Sequence, residues 1–168
     1  MSKHRIGLSH AQEDKLFYFV TTIVVYRESD QRCLILKRDK NEKVYPDKWA
    51  FPGGRLSWGN FDLAKPDVDD GGVLNFNNPI EDHVSEIIKN KAGIKVDTRV
   101  KYLESVFFVR KDNTPSVLVR FAVNYTDGDV TPKNGFTDYK WVNENEISSY
   151  DHISGIDLDI LKTIKLFS

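Results

Sequence analysis

Hydrophobic and polar positions along the chain change their period several times, and each change marks a predicted element. The run 16–27 is rich in Phe, Tyr, Val, Thr and Ile, which is typical of a strand. A polar turn at 28–31 separates it from a second strand-like run at 32–38, so we expect the two runs to form a hairpin. Further strands are predicted at 100–110, 116–125 and 138–142.

Two segments have helical periodicity instead. Asn78, Pro79 and Glu81 form a helix start, because they supply an N-cap residue, a proline in the first turn and an early acid. Gly93 is placed to end this helix, and 156–167 predicts a second, amphipathic helix. The apolar positions of the first helix fall on one face: Ile80, Val84, Ile87 and Ile88. The order β-β-loop-α-β-β-β-α predicts an α+β fold, with a mixed sheet flanked by helices in an α/β/α sandwich.

The remaining segments indicate how the chain is organised. Residues 60–78 are dense in Asp, Asn, Gly and Pro and lack a period, so they predict an inserted loop. Residues 1–14 are mostly polar and predict a flexible N-terminal arm. Residues 15–168 are long enough to enclose one hydrophobic core, and we expect a single domain.

Composition narrows the possible partners. The formal net charge is -1, and 40% of residues are hydrophobic, as in an ordinary soluble protein. This balance gives no electrostatic reason to expect a nucleic-acid polymer or a membrane as partner. The single cysteine, Cys33, excludes an internal disulfide framework and predicts a reducing, cytoplasmic environment.

One short motif carries most of the functional information. Residues 48–55 have the sequence Lys-Trp-Ala-Phe-Pro-Gly-Gly-Arg, the helix ends in Ala-Gly-Ile at 92–94, and 139–142 is Tyr-Lys-Trp-Val. In this combination the chain resembles the Nudix hydrolase family, also called MutT-like, over about residues 16–166. The resemblance implies the Nudix fold. It also implies hydrolysis of nucleoside diphosphate derivatives, which are acid anhydrides, with Mg²⁺ or Mn²⁺ as cofactor.

The family's metal-binding glutamates are missing. In the family box five residues separate the glycine from a glutamate, where this chain has Asn60, and a pair of adjacent glutamates lies on the helix. Aligning on the helix start puts Lys89 and Asn90 at the pair, whereas aligning on the closing glycine puts Asn90 and Lys91 there. Glu86 is the only catalytic candidate that is left on this part of the helix. A lysine can neutralise a phosphate but cannot hold a magnesium ion, so the box is degenerate.

The first hypothesis is therefore a binding protein. It binds nucleoside diphosphate-type or other phosphorylated small molecules, and classical magnesium-dependent diphosphate hydrolysis is weak or lost. Basic side chains near the Pro-Gly-Gly segment would contact phosphates, and an aromatic ring would stack on a base. The ligand-binding candidates are Arg38, Trp49, Gly53, Gly54, Arg55, Trp58 and Lys89.

Two alternatives stay open. An active Nudix hydrolase would need a rebuilt site for Mg²⁺ or Mn²⁺, made from Glu86 and the loop acids Asp67, Asp69 and Asp70. A protein-interaction module would leave the cleft unused and dock a partner, or a second copy in a homodimer, through the insertion at 60–78.

Overall fold

The computed structural model describes residues 6–168. In this part of the chain ten strands and two α-helices follow one another, with short 3-10 helices at Glu13–Lys15, Trp58–Asn60 and Ile147–Ser149. The strands are β1 (Tyr18–Arg27), β2 (Arg32–Arg38), β3 (Trp49–Ala50), β4 (Gly53–Arg55), β5 (Val68–Asp70), β6 (Val73–Asn75), β7 (Lys95–Val96), β8 (Lys101–Val109), β9 (Pro115–Asp127) and β10 (Phe136–Val142). The helices are α1 (Pro79–Ala92) and α2 (Ile156–Phe167). The predicted bounds of β2 and α2 are confirmed.

The strand β1 lies at the centre of an eight-stranded mixed sheet. One of its edges pairs in parallel with β9 along Tyr18–Tyr26. Its other edge is shared between two antiparallel strands: β4 pairs with Val20–Thr22, and β2 pairs with Tyr26 and Arg27. This sharing inserts the Pro-Gly-Gly segment into the middle of the sheet.

The two helices cover opposite faces of the sheet. Thr21 of β1 contacts His83 of α1, with 3.0 Å between the threonine Oγ1 and the histidine Nε2. Tyr26 of the same strand stacks on Phe167 of α2, with 5.0 Å between ring centres. Because successive side chains of a strand point to opposite faces, residues 21 and 26 lie on different sides. The predicted α+β sandwich is confirmed.

Helix α1 begins and ends as predicted, but its first turn is built differently. Gly93 has a left-handed φ of 73°, and its N–H donates to the carbonyls of Ile88 and Lys89, which closes the helix. Asn78 is the N-cap residue, as predicted, but it adopts a left-handed φ of 53° and its side chain makes no cap hydrogen bond. Its backbone carbonyl accepts a hydrogen bond from Asp82.

The sequence predicted a loop over the whole of the segment 60–78, but part of this segment forms strands. Its strands β5 and β6 form a separate two-stranded hairpin. Gly71 and Gly72 connect them with φ values of 60° and 92°, which is the positive pair that a tight hairpin turn requires. The sequence indicated a turn at these glycines, but it did not predict that the short segments on either side of the turn would pair as strands.

The predicted N-terminal arm lies partly beyond the structure. Residues 1–5 are outside the described residues, and the rest of the arm leads into the 3-10 helix Glu13–Lys15. Within 6–168 neither helix is long and apolar enough to cross a bilayer.

Candidate functional site

The Pro-Gly-Gly segment is held between strand β1 and helix α1, and both glycines are needed there. A Cβ atom on Gly53 would lie 2.3 Å from the carbonyl oxygen of Thr21, closer than any real contact. A Cβ atom on Gly54 would lie 3.0 Å from Cδ1 of Ile87 in α1. The backbone can therefore approach its neighbours only because these residues lack side chains.

A cleft of about 330 Å³ opens beside this segment. Its walls are β1, β9, the Pro-Gly-Gly segment and the chain that enters α2. The polar and charged residues along it include Thr22, Arg38, Ser154, Lys91, Arg120 and Asp159. This volume lies at the lower end of small-molecule sites, roughly 300–1,000 Å³.

One end of the cleft is cationic. The ammonium of Lys91 donates a hydrogen bond to the carbonyl oxygen of Gly53 and lies 5.6 Å from the ring centre of Phe136. The Arg38 guanidinium lies 5.9 Å from the same ring centre and donates to the carboxylate of Glu42 at 3.0 Å. Burial lowers the pKa of Lys91, and Arg38 acts in the same direction, whereas Glu42 partly opposes the shift. The two side chains form a pair of adjacent cations at the cleft.

The inner end of the cleft holds a buried carboxylate. Asp159 is 3% exposed, and its Oδ2 lies 3.3 Å from Nε of Arg120. Arg120 and Lys162 both bond to Glu104, so the arginine is shared between two acids. Burial raises the pKa of Asp159, and Arg120 opposes that shift.

The acids proposed for a rebuilt metal site do not come together. Asp67 accepts a hydrogen bond from the Asn77 N–H at 2.7 Å, and Asp69 accepts one from Gly72 at 2.8 Å, so both serve the insertion's own turns. Asp70 is exposed on β5, and Glu86 is exposed on α1. Within residues 6–168 no three His, Cys, Asp or Glu side chains converge as a metal site. The residues present therefore do not fit a magnesium or manganese ion held by carboxylates.

The candidate ligand-binding residues divide into three groups. Arg38, Gly53 and Gly54 line the cleft. Trp49 is 8% exposed and packs edge-on against Tyr150, so its ring belongs to the core. The other three lie away from the cleft: Arg55, which stacks at 4.5 Å over Tyr18, Trp58, which is 60% exposed, and Lys89, which is exposed on α1.

The structure identifies cleft residues that were not among the sequence candidates. Lys91, two residues before Gly93, approaches the Pro-Gly-Gly segment where the glycine-anchored alignment places the second glutamate of the pair. Arg120 and Asp159 were missed. Each carries a sequence signal, because Arg120 interrupts an apolar strand and Asp159 interrupts the buried face of α2, made of Ile156, Ile160 and Thr163.

The chain resembles known proteins in structure. No protein-family model and no curated protein sequence matches the chain. Solved structures match along most of its length. The NUDIX domain of Shewanella oneidensis NrtR, complexed with ADP ribose, is 15% identical, with 96% of each chain covered and a TM-score of 0.65.

Two further structures have a similar likeness. The MutT protein from Methanosarcina mazei Go1 is 16% identical over 93% of this chain and 98% of that chain, with a TM-score of 0.60. A C. elegans Ap4A hydrolase in a binary complex is 15% identical over 89% of this chain and 97% of that chain, with a TM-score of 0.57. At such identities the likeness shows the fold, and the function has to be argued from the site. This protein has the Nudix fold.

Proposed function

We propose that this chain is a Nudix-family protein that binds a nucleotide or another phosphorylated small molecule, with metal-dependent hydrolysis weak or lost. The observation that carries the proposal is the position of Lys91. Its ammonium lies at the Gly53 carbonyl, and the alignment anchored on Gly93 places a metal-binding glutamate of the family at this position. A fixed cation at this point attracts phosphate and repels a divalent metal ion.

The second cation supports the same function. Arg38 lies beside Lys91 at Phe136, and its planar guanidinium suits two phosphate oxygens at once. Glu42 already accepts one of its hydrogen bonds, so a phosphate would compete with that carboxylate. The proposed work of the chain is then to bind and orient the phosphate, and within residues 6–168 no three carboxylate, histidine or cysteine side chains converge to hold a metal ion that would activate water.

The relatives indicate which ligands to try. One solved Nudix structure is a complex with ADP ribose, and another is an Ap4A hydrolase. Both ligands contain adenosine joined to phosphates. The cleft of about 330 Å³ suits a mononucleotide-sized part of such a molecule.

Calorimetry of matched lysine variants tests the proposal. ADP, ADP ribose and Ap4A are titrated into the wild type, Lys91→Met and Lys89→Met in the presence of EDTA. We expect binding without metal, a loss of roughly tenfold in affinity for Lys91→Met and little change for Lys89→Met, because Lys89 is exposed. No binding of any of the three ligands, or equal losses in both variants, would contradict the proposal.

An activity assay addresses the alternative of a working hydrolase. Phosphate release from the same compounds is followed at high protein concentration with Mg²⁺ or Mn²⁺, and we expect no turnover that depends on metal. Turnover that disappears in Glu86→Gln would instead establish a metal site involving Glu86.

A second candidate function is self-association through the insertion. Trp58, Val68 and Val73 are 60%, 50% and 63% exposed, which is unusual for apolar side chains so close together along one segment. Such a surface suits a second copy of the chain. Light scattering of the wild type and of a variant lacking 61–77 tests this: a dimer that becomes a monomer supports it, and a monomeric wild type excludes it.

A cytoplasmic location is proposed from the single cysteine, which leaves the chain without an internal disulfide. Cys33 is buried in β2, and burial raises the pKa of its thiol to about 12, so it is a core residue without redox reactivity.

A further inference from the structure

Strand β8 lies at an edge of the sheet, and its outer side is open. It pairs with β9 from Lys101 to Val109, and no other strand pairs with it in the part of the chain that the structure describes. The N–H and C=O groups along its outer side therefore have no strand partner. Such an edge is a template for one more strand, and proteins usually protect it with charges, prolines or bulges.

The second half of β8 lacks this protection. The segment Ser105–Val109 contains no charge and no proline, and the register shift of the strand lies earlier, between Tyr102 and Glu104. Four consecutive apolar side chains are between 37% and 62% exposed here: Val106, Phe107, Phe108 and Val109. Because side chains alternate along a strand, Val106 and Phe108 share one face of the sheet, and the other two share the opposite face. One added strand would bury apolar surface on both faces.

The charges at the two ends of this segment are complementary. Glu104 lies directly before Ser105, and Arg110 lies directly after Val109. The alternation of the strand puts both charges on the same face of the sheet. Arg120 of β9 forms an ion pair with Glu104, which fixes the position of the carboxylate. An apolar segment with an acid at one end and a base at the other is complementary to its own antiparallel copy.

We infer that β8 is the interface of a homodimer, in which two copies of the strand pair in antiparallel fashion about a two-fold axis at Phe107. Opposite residues of an antiparallel pair share a face, so the axis of a symmetric pair passes through one residue of each strand. With the axis at Phe107, Glu104 lies opposite Arg110 of the second copy. Moving the axis by one residue puts Glu104 opposite Phe108 or Asp112, an apolar side chain or a like charge.

This register also pairs the apolar residues with one another. Phe107 meets its own copy, and Val106 lies opposite Phe108 of the second copy. Aromatic and β-branched pairs of this kind stabilise antiparallel sheets. The sheets of the two copies then form one continuous sheet. No ligand takes part, so this dimer does not depend on the function proposed for the cleft.

Light scattering over a range of protein concentrations measures the pairing. The wild type is compared with Phe107→Glu and with Val73→Glu, a matched control because the two side chains are 62% and 63% exposed but Val73 belongs to the insertion. Arg110→Glu is compared with Lys140→Glu, which makes the same change of charge at an exposed position of β10, the opposite edge strand.

We expect a wild-type dimer whose dissociation constant rises roughly a hundredfold in Phe107→Glu, because two carboxylates then meet on the axis. In Arg110→Glu it should rise about tenfold, because like charges lie opposite each other at both ends of the segment. Val73→Glu and Lys140→Glu should dimerise like the wild type.

A cysteine at the axis tests the register itself. Opposite Cα atoms of an antiparallel pair are roughly 4.5–5.5 Å apart, a distance that a disulfide can bridge. Phe107→Cys should therefore link two chains when it is oxidised with oxidised glutathione. Val109→Cys should not, because four residues, or roughly 13 Å, separate position 109 of one copy from the point opposite position 109 of the other. The native Cys33 is buried and stays out of the reaction.

Each result decides between this interface and its alternatives. A wild type that is monomeric at every concentration overturns the inference, and so does a dimer that survives Phe107→Glu. Loss of the dimer in Val73→Glu alone would establish the insertion as the interface. Equal cross-linking of the two cysteine variants would overturn the axis at Phe107. Nucleotide binding in the cleft is measured separately, so its failure leaves these results unchanged.

Discussion

The ammonium of Lys91 donates a hydrogen bond to the carbonyl oxygen of Gly53, and this bond joins the last turn of α1 to the Pro-Gly-Gly segment. The contact is a direct link within the chain between helix α1 and strand β4. A lysine here both holds the scaffold and leaves positive charge at the cleft.

Replacing Lys91 by glutamate, the family's residue at this position in the alignment anchored on Gly93, should therefore lower both stability and ligand binding. In Lys91→Glu a carboxylate would face the Gly53 carbonyl, two acceptors with no donor between them. We expect a lower melting temperature, loss of nucleotide binding and no gain of metal-dependent hydrolysis, because no other carboxylates converge there within residues 6–168. Thermal melts and phosphate release with Mg²⁺ measure both effects. A variant that hydrolyses nucleotides would show that the missing glutamate alone abolished activity.

The two glycines should differ in their tolerance of a methyl group. In Gly53→Ala the new atom meets the backbone of Thr21, which cannot move without displacing β1, so we expect a loss of about 3 kcal/mol or more. In Gly54→Ala it meets the end of the flexible Ile87 side chain, and we expect about 1 kcal/mol. Urea unfolding gives both values. Gly7→Ala is the control, because nothing lies within 4 Å of that position; equal losses at 53 and 54 would contradict the packing argument.

The contact between His83 and Thr21 should make stability depend on pH. The Thr21 hydroxyl donates to the carbonyl of Gly54 at 3.2 Å, so it accepts from Nε2–H of His83, a bond that both the neutral and the protonated ring can make. Burial lowers the pKa of His83 below its ordinary value, against an opposing effect of Glu86. The unfolded chain therefore binds the proton more tightly, and stability is complete above about pH 6.5 and falls as the pH drops below it.

Melting curves between pH 7.5 and 5 check this. We expect the wild type to lose several degrees over that range and His83→Gln to lose less, since glutamine can still donate to the Thr21 hydroxyl without titrating. If the two proteins lose the same amount, other groups cause the dependence.

Asp159 should lower the stability of the free protein at neutral pH. Burial raises the pKa of its carboxyl, so the ionised form is penalised in the folded state at neutral pH. Arg120 keeps Glu104 as a partner in Asp159→Asn. We expect this variant to melt a few degrees higher at pH 7, and the difference to shrink as the pH falls towards the ordinary range of an aspartate, where the wild-type carboxyl is protonated in both states. A large destabilisation would instead identify Asp159 as a structural partner of Arg120.

The sequence by itself determined most of the longer elements and the absence of the family's usual glutamates. The helix start at Pro79, its end at Gly93 and the bounds of β2 follow from local signals: a proline, a glycine and an apolar run. The resemblance to the Nudix family added the fold, and the absent glutamates were visible without any structure. Local periodicity succeeds here because these elements bury their apolar faces in the same core, so local and tertiary preferences agree.

Only the tertiary structure decided which side chains share the cleft. Lys91 lies 38 positions from Gly53 in the chain, and Arg120 lies 39 positions from Asp159. Neither pair has a sequence pattern, since strand register and helix rotation create both contacts. The tertiary structure also decided which candidates do not reach the cleft. Trp49 was a candidate for stacking on a base, but its ring packs against Tyr150. Lys89 and Lys91 are both lysines of α1, and they differ only in the direction in which the helix presents their side chains. Local signals specify what a residue can do, and long-range packing specifies what it meets.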